Sequence, residues 1–158
     1  MPAPLTVTMP SDREVVVTRS FEAPRDLVFR AHTEPKLVKK WLLGPPGWTM
    51  PTCEIDFRVG GRYRYGWAHP DKQGFEMTGT FQEIKAPARI VHVEEFRDME
   101  ATITSLFTEQ DGRTTLTMTM HFPSKAARDG AIKTGMTDGM EQSYRKLDQF
   151  VASPAEAR

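Results

Sequence analysis

The sequence contains a single cysteine, Cys53, among its 158 residues. One thiol excludes an internal disulfide and a zinc site built from several cysteines, and it fits a reducing compartment. We interpret Cys53 as an inert strand residue. An excess of charge of one sign is also lacking, because Lys plus Arg and Asp plus Glu each total 21. This balance, without a basic block interleaved with aromatic residues, argues against a nucleic-acid partner.

Long hydrophobic runs are missing as well. No apolar stretch approaches the roughly 20 residues that cross a bilayer, and the start of the chain lacks the cationic segment and apolar run of a signal peptide. We therefore expect no membrane partner and a cytoplasmic location. Residues 1–12 include three prolines and are expected to form a flexible N-terminal tail. Residues 153–158 are small and polar and are expected to form a C-terminal tail.

Sequence motifs for nucleotide cofactors and nucleophilic catalysis are absent. The chain has no Gly-x-Gly-x-x-Gly, no phosphate loop and no Gly-x-Ser-x-Gly, which are the usual marks of those sites. Its four histidines lie on different predicted elements and lack the His-x-His or His-x-x-x-His spacing of a metal site. We expect no metal and no cofactor.

The stretch from Asp56 to Trp67 carries the most information about a binding site. Two strand-like runs flank Gly60-Gly61, and glycine accepts the positive φ of a tight turn, so the pair predicts a hairpin. The strand after the turn alternates aromatic and other residues, which places aromatic rings on one face and two guanidinium groups on the other. The two sets are Tyr63, Tyr65 and Trp67 against Arg62 and Arg64.

That aromatic face fits either a packed core or the wall of a pocket. Aromatic residues are common on half-buried sheets in any case. The phenol and indole edges favour a pocket slightly, because a buried OH or NH needs a hydrogen-bond partner. Both interpretations stay open from the sequence.

The remaining chain divides into helical and strand segments. β-branched residues predict a first strand over Glu14–Phe21, and a helix is expected to start at Pro24. A second short helix with Thr33 as N-cap carries Trp41 on its apolar face. Between residues 48 and 122, turn residues at intervals of about ten to fifteen predict six antiparallel strands. Asp111-Gly112 is the clearest hairpin signal among them.

After Pro123 the apolar residues recur every three or four positions. This period predicts one long amphipathic helix that Ser124 caps and that continues to Val151. Three glycines inside it, at positions 130, 135 and 139, each cost about 1 kcal/mol relative to alanine. The helix must therefore be held by packing.

The order strand, two helices, six strands, long helix is that of the helix-grip fold. We therefore predict an α+β class in which a curved antiparallel sheet wraps around a long C-terminal helix, with two short helices between strands 1 and 2. Four segments resemble the bacterial AHSA-type branch of the START-like (SRPBCC, polyketide cyclase-like) superfamily, and the likeness covers about residues 13–152 as a single domain. These segments are Trp41 to Pro45, Asp56 to Tyr63, Gly79 to Pro87 and Gly135 to Leu147.

The resemblance implies a fold more than a function, because one scaffold hosts lipid carriers, cyclases, hormone receptors and co-chaperone domains. Our leading hypothesis is a protein that binds a hydrophobic or aromatic small molecule between the sheet and the C-terminal helix, without a cofactor and with no demonstrated chemistry. The alternatives are a cyclase or dehydratase type of enzyme that uses the same cavity, and a co-chaperone-like interaction domain. The heat-shock-protein ATPase activator has a separate N-terminal domain, and we see no counterpart to it before Arg13. Whether the chain forms a homodimer stays open.

Nine residues are predicted to line the cavity. The methionines among them suit an adaptable site because an unbranched thioether repacks around different shapes. Plain core packing would explain them equally well. The nine are Trp41, Phe57, Tyr63, Tyr65, Trp67, Met77, Phe81, Met136 and Met140.

One strand offers a pair of titratable side chains. His92 and Glu94 share a face at i, i+2 and could transfer protons near neutral pH if that face lined a cavity. The alternating Val91 and Val93 form the better apolar face, so the pattern favours the valines inside and the pair in solvent.

Overall fold

A computed structural model describes residues 3–152 as one antiparallel sheet and four helices. The expected tail at residues 153–158 lies outside the described residues. No helix within the described range is long and apolar enough to cross a membrane. The elements are β1 (Thr6–Thr8), β2 (Glu14–Phe21), α1 (Arg25–Thr33), α2 (Pro35–Trp41), β3 (Thr49–Ile55), β4 (Arg62–Ala68), β5 (Phe75–Lys85), β6 (Arg89–Phe96), β7 (Met99–Gln110), β8 (Arg113–His121), α3 (Lys125–Lys133) and α4 (Met136–Val151).

The eight strands pair in the order β1-β2-β8-β7-β6-β5-β4-β3. The predicted strand Glu14–Phe21 is confirmed as β2, and the six strands expected between residues 48 and 122 are β3 to β8. The hairpin at Asp111-Gly112 is confirmed too. Both residues have positive φ, at 55° and 76°, as a two-residue type I′ turn requires. The α+β helix-grip architecture is thereby confirmed.

Part of the expected N-terminal tail is ordered in the sheet. Thr6–Thr8 forms β1 and pairs antiparallel with β2, and the Leu5 N–H donates to Glu141 Oε1 at 2.9 Å. The prediction of a tail over residues 1–12 is therefore wrong for this segment. Three residues are too few to show a pattern, and their pairing depends on backbone groups that every residue carries.

The two short helices lie between β2 and β3, where they were expected. The N-cap assigned to Thr33 is wrong, because Thr33 is the last residue of α1 and its hydroxyl donates to the Phe29 carbonyl at 3.1 Å. Helix α2 begins instead with Pro35 after Glu34, since the fixed φ of proline suits the first helical position.

The single C-terminal helix of the prediction is two helices. Ser124 caps α3 as expected, accepting from the Ala127 N–H at 3.0 Å. The chain then breaks at Gly135, whose φ of +80° lies in the left-handed region that glycine enters at little cost. Only α4 is the long helix that the sheet wraps. Gly135, which was expected to weaken a single long helix, instead separates α3 from α4.

The core lies between the inner face of the sheet and the helices α1, α2 and α4. Trp41 and Tyr144 stack with ring centroids 5.8 Å apart, and Tyr144 also meets Phe21 of β2 edge-on at 5.5 Å. Arg19, at an inward position of β2, reaches α4 and pairs with Glu141 and Asp148. These contacts fix α4 against the sheet at Glu141 and again at Asp148.

The sheet is open, with β1 and β3 as its edge strands. Strand β1 has three residues. Strand β3 carries Pro51, at the place where its register with β4 shifts between Thr49 and Thr52.

We predict that α4 is held mainly by its buried face. Leu147 is fully buried, so Leu147→Ala should lower the free energy of unfolding by about 2 to 5 kcal/mol through lost burial and the cavity it leaves. The exposed Gln149 on the same helix provides the control, and Gln149→Ala should change stability by less than about 0.5 kcal/mol. Denaturant unfolding measures both, and equal losses would contradict the packing.

Candidate functional site

A cavity of about 640 Å³ lies between the inner face of the sheet and the first half of α4. Strands β4 to β8 form one wall, and the end of α2 with the loop after it forms another. Four lining residues are exposed to solvent and mark the mouth, which lies between the α2–β3 loop and the α3–α4 junction. They are Pro45, Thr134, Gly135 and Asp138.

Eight of the nine predicted residues line this cavity; their role in binding stays a prediction. Phe57 does not, because it lies in the turn between β3 and β4 and packs edge-on against Phe29 and Phe81, with ring centroids 5.8 and 5.1 Å away. Phe57 therefore packs behind Phe81, which does line the cavity. The eight are Trp41, Tyr63, Tyr65, Trp67, Met77, Phe81, Met136 and Met140.

The faces of β4 are as the alternation predicted. Tyr63 is 3% exposed, and the ring centroids of Tyr63 and Tyr65 lie 4.9 Å apart, with Trp67 following at 5.8 Å from Tyr65. Arg62 and Arg64 point to solvent. The rings therefore form a continuous aromatic wall, which Phe75 extends by stacking on Trp67 at 4.9 Å.

Gly79 allows the Tyr63 ring to lie directly on the neighbouring strand. A Cβ at Gly79 would stand 2.3 Å from two Tyr63 ring carbons and 2.4 Å from the phenol oxygen, so no other residue fits there without a shift of the ring. Gly79 is opposite Tyr63 on one side and opposite Glu94 on the other. The phenol thus extends from β4 across β5 toward Glu94.

His92 and Glu94 face the cavity, so the predicted orientation of β6 is wrong. His92 is in register with Phe81 and Ile103, both inward residues, and both His92 and Glu94 belong to the lining. Val91 and Val93 occupy the outer face, opposite Thr104 and Thr102 of β7. Because the outer face also uses β-branched residues, the apolar pattern pointed to the wrong side.

Burial shifts the pKa values of this pair in opposite directions. Desolvation raises the pKa of Glu94 to about 7 and lowers the pKa of His92 to about 4, because an apolar surrounding disfavours the charged form of each. Burial, with the Glu94 charge as the next cause, also raises the pKa of the Tyr63 phenol. At neutral pH the histidine and the phenol are neutral, and Glu94 can take up or release a proton.

Several polar atoms in the cavity have no hydrogen-bond partner among residues 3–152. They include the phenol oxygen of Tyr63 and Nδ1 of His92. In the same range, the side chain of Glu94, which lines the cavity, takes part in no hydrogen bond and no ion pair shorter than 4 Å. Buried polar groups are normally paired, so this end of the cavity offers free hydrogen-bonding capacity to a ligand.

Two indole groups and one imidazole in the lining are held by backbone carbonyls. Trp41 Nε1 donates to Ala31 O and Trp67 Nε1 to Leu42 O, both at 2.8 Å. His32, which the sequence analysis missed, donates through Nδ1 to Val28 O at 2.7 Å. Its Nε2 is left without a described partner, and desolvation lowers the pKa of His32 to about 4.

Further lining residues were missed although their pattern was readable. Ile103 and Ser105 alternate with the outward threonines of β7, and Met118 and Met120 do the same on β8. The alternation along each strand indicated which side chains face inward, but methionine and serine at inward positions do not by themselves indicate a pocket.

No group of three or more His, Cys, Asp and Glu side chains in the described part of the chain could hold a metal ion. Cys53 lies opposite Tyr65, and burial raises the pKa of its thiol to about 11. The thiol is thus poorly nucleophilic at neutral pH. Glu94 and its neighbours can therefore supply proton transfer and hydrogen bonding.

Comparison with known proteins shows which family and which solved structures this chain is similar to. The family model described as Activator of Hsp90 ATPase homolog 1-like protein matches residues 22–152. A comparison with curated proteins found no match. The chain is similar to a crystal structure from Rhodobacter sphaeroides, with 28% identity, a TM-score of 0.87 and coverage of 94% of this chain and 97% of the other.

Two further solved structures share the fold. A Mycobacterium smegmatis protein is 24% identical with a TM-score of 0.85, covering 94% of this chain and 98% of its own. An AHSA1-like protein from Aeromonas hydrophila is 22% identical with a TM-score of 0.67, covering 85% of this chain and 92% of its own.

We predict that Glu94→Gln stabilises the protein in a pH-dependent way. Glu94 holds its proton more tightly when folded, so its ionisation increasingly disfavours the folded state as the pH rises from the ordinary 4.5 to about 7. The stability of Glu94→Gln relative to wild type should rise over that window, by on the order of 3 kcal/mol at most.

Denaturant unfolding across the same window measures this difference. His32 and His92 titrate in both proteins and so cancel. Glu95→Gln, on the outer face of the same strand, is the matched control because it also replaces a carboxylate by an amide. A flat difference for Glu94→Gln would mean that burial does not raise the pKa of Glu94.

Proposed function

The chain belongs to the Activator of Hsp90 ATPase homolog 1-like protein family, and we propose that within this family it binds a hydrophobic or aromatic small molecule in its cavity. Membership agrees with the START-like resemblance noted in the sequence and supports a ligand-binding or interaction domain in general. The more specific function is our inference from the cavity.

The observation that carries the proposal is an open cavity with an aromatic wall. Its volume of about 640 Å³ falls within the range of about 300 to 1,000 Å³ that is typical of small-molecule sites. A cavity of this size costs stability through lost packing. A ligand that filled it would recover those contacts, and flat rings would suit the faces of Tyr65 and Trp67.

An enzymatic function of the cyclase or dehydratase kind is the second candidate, because Glu94 points into the cavity. Its pKa near 7 suits proton transfer at neutral pH, and the Tyr63 phenol could stabilise a developing negative charge nearby. Proton transfer would need a bound substrate, so this candidate depends on the same binding event.

We predict that an uncharged fluorescent probe, N-phenyl-1-naphthylamine, binds with increased emission and quenches the tryptophans, since all three (Trp41, Trp48 and Trp67) line the cavity. Tyr65→Ala should weaken binding by about 1 kcal/mol or more, about fivefold, because an aromatic contact surface is lost. Arg64→Ala, one residue away on the solvent face, should leave the affinity unchanged.

Fluorescence titration of the three proteins decides the question. Equal effects of the two substitutions would place the probe outside the cavity. If a wider set of apolar probes also fails to bind the folded protein, the ligand-binding proposal is wrong and an interaction role takes its place.

We predict that Gly139→Leu closes the cavity without unfolding the protein. Gly139 lines the cavity from α4, and a Cβ there meets no atom within 4 Å, so the new side chain has room to occupy. Probe affinity should fall about tenfold or more. The free energy of unfolding should rise by about 0.5 to 1 kcal/mol, because glycine is a poor helix former.

Gly130→Leu provides the matched control. Gly130 is an exposed residue of α3, also with open space around its Cβ, and it does not line the cavity. It should bring a similar gain in stability and no loss of probe affinity. Unchanged binding to Gly139→Leu would contradict a ligand seated beside α4.

A further inference from the structure

The charged residues that line the cavity have one sign. Two carboxylates, Glu94 and Asp138, belong to the lining, and no lysine or arginine is among the lining residues that the structure describes. Lys146 lies close to the loop after α2, but its ammonium donates to the carbonyl oxygen of Gly44. The positive N-terminal end of α4 also faces the mouth, and Asp138 in its first turn offsets that charge.

The two carboxylates occupy different depths. Asp138 is exposed at the mouth and accepts from Gln142 Nε2 at 2.9 Å. Glu94 lies inside the cavity, on β6, directly opposite the Gly79 of β5 on which the Tyr63 ring packs. A cation that entered past Asp138 would therefore meet a second, unpaired carboxyl group at the inner end.

Aromatic rings line the cavity at this end and continue along β4 and β5 away from it. The Tyr63 ring lies 5.3 Å from the His92 ring, and Phe75 packs against Trp67 and Trp48 at 4.9 and 5.3 Å. Faces of tyrosine and tryptophan attract cations through the ring quadrupole, most strongly where water is excluded. An anion would gain from neither the rings nor the carboxylates.

We propose that the polar end of the cavity formed by Tyr63, Glu94 and His92 selects ligands in which a protonated amine is attached to an aromatic or apolar body. The ammonium pairs with the Glu94 carboxylate, the Tyr63 hydroxyl or His92 Nδ1 accepts a second N–H, and the body lies along Tyr65 and Trp67. This proposal rests on the proposed function and specifies its class of ligand. It excludes fatty acids and other anionic ligands.

Binding of such a ligand depends on the ionisation of Glu94. Asp138 lies at the mouth of the cavity, and His69 packs against the lining Trp48. Six further titratable groups face the cavity or adjoin its wall: His32 and His92, whose pKa values lie near 4, and Tyr63, Tyr65, Tyr144 and Cys53, whose pKa values are raised by burial. These six stay neutral between about pH 5.5 and about pH 8. Glu94 goes from mostly protonated to mostly ionised over that interval, so affinity for an amine should rise with pH.

The experiment compares three probes with one aromatic body: 1-naphthylmethylamine, 1-naphthylmethanol and 1-naphthylacetate. Displacement of N-phenyl-1-naphthylamine gives their affinities for wild type, Glu94→Gln and the outer-face control Glu95→Gln. At about pH 8 the amine should bind about tenfold tighter than the alcohol to wild type and Glu95→Gln, and the carboxylate weakest, as a charge-assisted hydrogen bond implies. Glu94→Gln should remove the preference, so that the amine and the alcohol bind with similar affinity.

The pH dependence of wild type provides a measurement that needs no variant. Lowering the pH from about 8 to about 5.5 should weaken amine binding about 10- to 30-fold while alcohol binding stays constant. Alcohol binding equal to or tighter than amine binding at about pH 8, or a preference that survives Glu94→Gln, would overturn the inference and leave the binding function intact. Failure of every probe, including N-phenyl-1-naphthylamine, would instead refute the proposed function itself.

Discussion

The buried ion pairs of Arg19 are the constraint on which the helix-grip arrangement depends. Arg19 is 2% exposed on β2, and its guanidinium lies 2.9 Å from Glu141 Oε1 and 2.7 Å from Asp148 Oδ2 on α4. Glu141 also accepts the Leu5 N–H beside β1. Although burial favours the neutral acid, Arg19 keeps the pKa of Glu141 below its usual value. Removing one partner of a buried pair typically costs about 3 to 5 kcal/mol, so the edge of the sheet and the last helix are fixed to each other.

The ion pairs of Arg19 begin at Glu141, so the turn of α4 before that residue is available for another role. After Glu141 the helix carries Leu147 and Phe150, which fill the core, and before it Met136, Gly139 and Met140, which line the cavity. A helix that is held firmly from Glu141 onward does not need to pack tightly in its first turn, and open space can persist there. The two regions also differ in charge, because Arg19 is matched by two carboxylates, whereas the Glu94 side chain in the cavity has no described partner.

The sequence predicted the fold well and the site only in part. Alternation gave the faces of β4 correctly because burying Arg62 and Arg64 would be costly. It failed on β6 because Val91 and Val93 face outward beside threonines, where β-branched residues are as common as in the core. A glycine that ends a helix and a glycine inside a helix look alike in a sequence, so the break at Gly135 could not be predicted. Only the observed φ of +80° distinguishes the two cases. Phe57 was misplaced because a turn residue follows no period.

The edges of the open sheet determine how this chain can meet another copy of itself. An exposed edge strand is a template for intermolecular β-pairing and aggregation, and short strands, prolines and bulges counter it. Here one edge is the three-residue β1, and the other, β3, has Pro51 where its register shifts, so a ladder of backbone hydrogen bonds to a neighbour would be short or interrupted. Fibril-like growth by edge addition is thus disfavoured, and self-association would have to use side-chain surfaces instead of an extended sheet.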